Sequence, residues 1–98
     1  TYYKTGKYKS AIVAFKNALK QYPESKRREE IMYLIVDSGY RLASNSISEK
    51  QTDRYLSMLD SYLSFKEEFP ESTHIKSLDR MAQQARDYLD RNNKDNNI

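Results

Sequence analysis

The side chains able to do chemistry are few and are badly spaced for it. The chain of 98 residues has no cysteine and a single histidine, His74. Disulfides, thiolate metal sites and cysteine nucleophiles are excluded, and so is a multi-histidine metal cage. His74 falls in the first turn of a predicted helix and reads as a surface residue. Glu29-Glu30 and Glu67-Glu68 are adjacent carboxylates. Neighbouring helical residues point about 100° apart, so neither pair converges as a general acid and base. Nothing resembles a nucleophile with its base, a phosphate loop or a metal set. The expectation is therefore no enzyme, no catalytic residues, no metal and no cofactor.

The basic residues come next. The formal net charge is +3. Residues 1–50 carry ten Lys/Arg against five acids, which is +5; residues 51–98 carry seven against nine, which is −2. Lys4, Lys7, Lys9, Lys16 and Lys20 give a basic skin to the first full helix. A solvated surface is the first reading and an acidic protein partner the second. Nucleic acid comes last, because no base-stacking aromatics are freely interleaved with the lysines.

The elements behind these residues are helices. The chain is 38% hydrophobic and 32% charged, with two glycines and two prolines. That balance suits helix rather than sandwich or barrel. No run reaches the roughly 18 apolar residues of a membrane span. The start is neither a methionine nor a basic-then-apolar leader, so the chain reads as cut from something longer.

An internal repeat organises the sequence. Tyr8-Lys9-Ser10 to Pro23-Glu24-Ser25 matches Tyr55-Leu56-Ser57 to Pro70-Glu71-Ser72 with a constant shift of 47. Ala11 falls on Met58, Ile12 on Leu59, Phe15 on Tyr62, Ala18 on Phe65 and Tyr22 on Phe69. Leu19 against Lys66 is the exception. Steps of three and four mark one face of a helix, and each proline ends it. Predicted helices are 1–5, 7–22, 26–44, 51–69 and 73–91, with Ser44–Gln51 as the loop and residues 92–98 as a disordered polar tail behind a 1–91 domain. Ser25 is expected to cap the third helix, and Ser72 or Thr73 the last. Gly39 lies inside a helix, where it costs ~1 kcal/mol relative to Ala. That predicts a close helix contact. The aromatics Tyr8, Phe15, Tyr22, Tyr55, Tyr62, Phe65 and Phe69 are predicted to be repeat core, a peptide-binding groove being the alternative.

Gly6, Tyr8, Ala11, Phe15, Ala18, Leu19 and Pro23 follow the second-helix half of a tetratricopeptide repeat. Residues 1–5 would then be the last turn of that repeat's first helix. The second repeat is longer than usual, and the extra length is placed in its first helix and the Ser44–Gln51 loop. The fold class read here is all-α: tetratricopeptide-like helical repeats, about one and a half of them, plus a C-terminal capping helix.

More specifically, the Tyr-Tyr-Lys-x-Gly-x-Tyr-Lys start, the insertion ahead of Arg54-Tyr55 and the doubled aromatic-Pro-Glu-Ser ends resemble the C-terminal repeats of the BamD family. These are lipoproteins of the outer-membrane β-barrel assembly machinery, here in the long-repeat form of Bacteroidetes-type bacteria. The resemblance covers roughly residues 2–89. It implies a non-catalytic scaffold at the periplasmic face of the outer membrane, lipid-anchored through an amino-terminal cysteine that this chain does not contain. It also implies docking to the periplasmic domains of the barrel-forming subunit. The alternatives are another periplasmic or cytoplasmic repeat adaptor, or a repeat domain that regulates an enzyme or binds nucleic acid.

In such a stack the first helix of each repeat lines the concave side. Arg27, Glu30, Leu34, Asp37 and Arg41 fall there by position, on one stripe, and are the expected partner-binding residues. Tyr2, Tyr3 and Ile12 are expected to be a point of self-association.

Overall fold

The computed structural model describes residues 2–23 and 26–96, and the side chains of 6–23 and 26–91. Four helices follow one another among the described residues: α1 (Tyr2–Gln21), α2 (Arg28–Ser44), α3 (Ser48–Glu68) and α4 (Ile75–Asn96). No strand occurs among the described residues. Short connections lay neighbours antiparallel. α2 sits in the middle and packs on α1, α3 and α4; α3 also packs on α4, and among the described residues α1 packs on α2 alone. This is the expected all-α repeat stack.

The core is built by α2, α3 and α4. Val36 and Ala43 meet Tyr55, Met58, Tyr62 and Phe65, which meet Leu78, Ala82 and Ala85. Enclosing a side chain such as Phe65 contributes about 1.5–3 kcal/mol. Tyr55 and Tyr88 pack with ring centroids 4.8 Å apart, and Phe65 and Phe69 at 5.5 Å. The Tyr62 hydroxyl donates to Asp79, so its polar end is satisfied at the edge of the core. Burial, then the Asp79 carboxylate, push the Tyr62 hydroxyl above the ordinary tyrosine range. Gly39 is buried, and a Cβ built there lies 3.4 Å from Met58 Cβ. The close α2–α3 approach that the glycine predicted is present.

The turns are tied by side chains. Ser72 Oγ accepts from the His74 N–H at 3.1 Å, which ties the turn ahead of α4 rather than capping the first N–H groups of that helix as expected. Arg28 donates Nη2 to Glu68 Oε1 at 3.0 Å and Nε to Glu68 Oε2, while Nη1 donates to the Pro23 carbonyl at 3.2 Å. One guanidinium thus links the C-terminal ends of the two repeat-equivalent helices. The expected cap Ser25 lies outside the described residues, as do the side chains of Tyr2 and Tyr3.

Four further expectations are corrected. First, the expected break between helices 1–5 and 7–22 is absent: α1 runs unbroken from Tyr2 through Gly6 to Gln21, and no atom within 4 Å opposes a side chain at Gly6. A helical glycine is a cost of ~1 kcal/mol, not a stop. Second, the Ser44–Gln51 loop shrinks to Asn45–Ile47, because α3 already begins at Ser48. Glu49 lies in that first turn, where a carboxylate favours the helix N-terminus. Gln51 Nε2 donates to the Ala43 carbonyl at 3.1 Å and Arg54 donates to Ser46, holding the short turn. The extra length of the repeat is helix. Third, α4 does not fade near Asp90; the 92–98 stretch is helical as far as Asn96, and 97–98 lie outside the described residues. The stretch is polar but holds no proline or glycine, and extending an existing helix is easy compared with nucleating one. Fourth, the aromatic ladder is not uniformly buried. Tyr62 is 3% exposed and Phe65 0%, whereas Phe15 is half-buried and Tyr22 is 65% exposed. α1 has only one neighbour to pack on.

Candidate partner-binding face

Arg27, Glu30, Leu34, Asp37 and Arg41 recur every three or four residues, so they share a stripe along α2. The opposite side of that helix holds its buried set, including Ile35, Val36, Gly39, Leu42 and Ala43. Arg27, at the N-terminal boundary of α2, is exposed, as are Glu30 and Arg41; Leu34 and Asp37 are half-buried. The stripe therefore remains open with α2 packed on three neighbours.

Its two ends are held differently. At the C-terminal end Arg41 Nε donates to Asp37 Oδ2 at 3.0 Å. The hydrogen bond to Asp37 and its charge, with a smaller contribution from Tyr8 of α1, hold the Arg41 guanidinium above its ordinary range. At the N-terminal end Glu30 Oε2 lies 3.1 Å from Nε2 of His74, just before α4. An i,i+4 pair and a surface pair of this kind contribute only tenths of a kcal/mol to stability. Their effect is to fix where the charges stand. Asp37 and Arg41 come together as a pair, and Glu30 is drawn toward α4. Neither contact joins these three residues into a single cluster.

The flank of the stripe carries residues that the sequence did not connect with it. His74 is not a plain surface residue. Its ring stacks on Tyr33 with centroids 3.9 Å apart and an interplanar angle of 12°, and meets Phe65 edge-on at 6.5 Å. The Tyr40 hydroxyl donates to Gln84 Oε1. Tyr33 and Tyr40 are seven residues apart; Tyr33 reaches the turn before α4 and Tyr40 reaches α4 itself. The visible signal was that spacing, but what they reach is set only by the fold. The result is a face of α2 and α4 with tyrosine, histidine and alternating charge. It suits a polar partner that can answer both signs.

The adjacent carboxylates diverge. Glu29 accepts from Ser72 Oγ at 2.7 Å, Glu30 faces His74, and Glu68 is held by Arg28 while Glu67 is exposed. The hydrogen bonds from Arg28, then its charge, hold the Glu68 carboxyl below the usual carboxylate range. Among the described residues no three His, Asp or Glu are grouped to hold a metal ion. An apolar slot of about 160 Å³ opens between α1 and α3, lined by Lys16, Leu19, Met32, Ile35, Ser61 and Ser64. Leu19, the position that broke the repeat, is spent on this slot. Lys66, its counterpart, instead lays its ammonium 5.8 Å from the Tyr62 ring centroid. Among the described residues no helix is long and apolar enough to cross a membrane.

A family model described as YfiO, outer membrane lipoprotein, matches residues 1–94. No curated protein and no solved structure matches the chain. With nearly all of its length matched and the helical repeat stack in place, the chain belongs to the YfiO family of outer membrane lipoproteins.

Proposed function

We propose that this chain is a non-catalytic interaction scaffold of outer-membrane β-barrel assembly, working at the periplasmic face of the outer membrane. The observation that carries the reading is the family match over residues 1–94. The 47-residue repeat spacing supports the long-repeat Bacteroidetes form of that family. The partner in this reading is the set of periplasmic domains of the barrel-forming assembly subunit. It docks on the α2 stripe of Arg27, Glu30, Leu34, Asp37 and Arg41. Alternating charge on a rigid helix orients a polar partner and speeds its encounter more than it raises affinity.

The test is site-specific crosslinking. A photoreactive side chain replaces Glu30 or Arg41 in the full-length protein, with Asp87 on the outer side of α4 as control. Incubated with the purified periplasmic domains of the barrel-forming subunit, the first two positions should crosslink and the control should not. Crosslinks from the control alone would move the interface elsewhere. Binding to none of these domains would instead favour an adaptor of another envelope system.

A further inference from the structure

The outer faces of α1 and α3 occupy equivalent positions in the repeat and carry opposite charge. On α1, Lys9, Val13, Lys16 and Lys20 are all exposed. Shifted by 47 they become Leu56, Asp60, Leu63 and Glu67 on α3, again all exposed. Steps of four, three and four keep each set on one stripe of its helix. α3 is packed by both α2 and α4, yet its stripe stays open. The equivalent stripe on α1 is therefore not exposed merely because α1 has a single neighbour.

Both stripes hold apolar surface beside unpaired charge. Val13 is 59% exposed, Leu56 49% and Leu63 51%. Lys9, Lys16, Lys20, Asp60 and Glu67 make no ion pair among the described residues. Leu56 and Leu63 stand two turns apart on one stripe with Asp60 between them, and a partner of opposite charge can cover both at once.

We propose that a second copy of this chain docks here, with its helices antiparallel. The basic stripe of α1 then meets the acidic stripe of α3 of the second copy, and the reverse contact forms at the same time. The register is self-consistent. Setting Val13 against Leu63 of an antiparallel helix also sets Lys16 against Asp60 and Lys9 against Glu67. A two-fold axis uses each of these pairs twice. The slot between α1 and α3, with Leu19, Met32 and Ile35, lies between the two stripes and is covered by the same contact. This proposal goes beyond the scaffold reading and does not depend on it.

Sedimentation of the chain over a range of concentration and salt tests it. The chain should dimerise, with a dissociation constant that rises steeply with ionic strength. Lys9→Glu with Lys16→Glu should weaken the dimer at least roughly tenfold, and so should Asp60→Lys with Glu67→Lys. An equal mixture of the two double variants should dimerise again, because each then meets its opposite charge on both contacts. All four changed positions are on the surface, and dichroism checks that helicity is kept. A wild-type chain that stays monomeric at low salt overturns the proposal, as do charge-reversed variants that dimerise like wild type. A monomeric chain that binds an isolated acidic, leucine-bearing helix would also overturn the second copy as the occupant.

Discussion

α1 and α3 share one pattern of residues and differ in what surrounds them. In α3 the positions Tyr55, Met58, Tyr62 and Phe65 are all buried. Their equivalents in α1, namely Tyr8, Ala11, Phe15 and Ala18, are all half-buried. The difference lies in the neighbours: α3 is held between α2 and α4, whereas among the described residues α1 lies on α2 alone. A repeat face is worth what is stacked on it, which is how energies add in such arrays. The residue sizes follow the enclosure. Met58 and Phe65 stand where α1 has alanines, so the enclosed helix brings the larger side chains.

The largest expected effect separates the two helices directly. Phe65→Ala should cost about 3–5 kcal/mol, because the ring is fully enclosed and its loss leaves a cavity. Phe15→Ala should cost clearly less, about 1–2 kcal/mol, since a half-buried ring gives up less burial and its site stays open to water. Urea unfolding of both variants checks this. Equal losses would break the comparison.

Gly39 sharpens it on the side of α2. Gly39→Leu should destabilise by about 1–3 kcal/mol, because a bulky side chain is driven into Met58. Gly39→Ala should be neutral or gain up to ~1 kcal/mol, since its Cβ meets Met58 at 3.4 Å, an ordinary contact, and helix propensity improves. Thermal unfolding of the two variants distinguishes size from the mere loss of glycine. A strong loss in Gly39→Ala would mean a tighter α2–α3 approach than the structure has.

Tyr62→Phe removes the hydroxyl that Asp79 accepts from, at the α3–α4 contact that α1 lacks. The expected loss is ~1 kcal/mol in urea unfolding. Tyr8→Phe should do less, because Tyr8 is only half-buried.

The smallest effect is in acid. Glu68 has its folded pKa lowered, first by the hydrogen bonds from Arg28. Its stabilisation is present above the unfolded glutamate range and is lost as pH falls through the lowered folded value. The pair is partly exposed, with side chains 32% and 38% accessible, so screening keeps the effect to a few tenths of a kcal/mol. Glu68→Gln should remove that part of the acid dependence and nothing more. A loss as large as that of Phe65→Ala would mean that this pair, rather than burial, couples the two repeats.

Much of this was legible in the sequence. The apolar spacing placed α2, α3 and most of α4, and Gly39 announced its own close contact. The proline turns set the ends near Tyr22 and Phe69. What could not be read depends on neighbours. Phe15 and Tyr62 have the same spacing, and only the stacking of α2 and α4 makes one enclosed and the other not. Gly6 looked like a break because the repeat pattern puts a turn there, but nothing local forces one. The same holds for the stripe on α2. Its five positions followed from the period, whereas the Tyr33–His74 stack and the Tyr40–Gln84 bond join residues more than 40 apart. Charge type is visible in a sequence, but the partner of a charge is not.

Amide hydrogen exchange on the isolated chain, resolved by residue, tests the central claim most directly. Burial on two sides should make amides in the middle of α3, from Met58 to Phe65, open only with the whole fold. Those of α1 from Ala11 to Ala18 should exchange through local opening, at least roughly tenfold faster. That result is what one-sided packing of α1 predicts. Equal protection of the two helices would contradict it, and would mean that α1 is enclosed as fully as its repeat-equivalent.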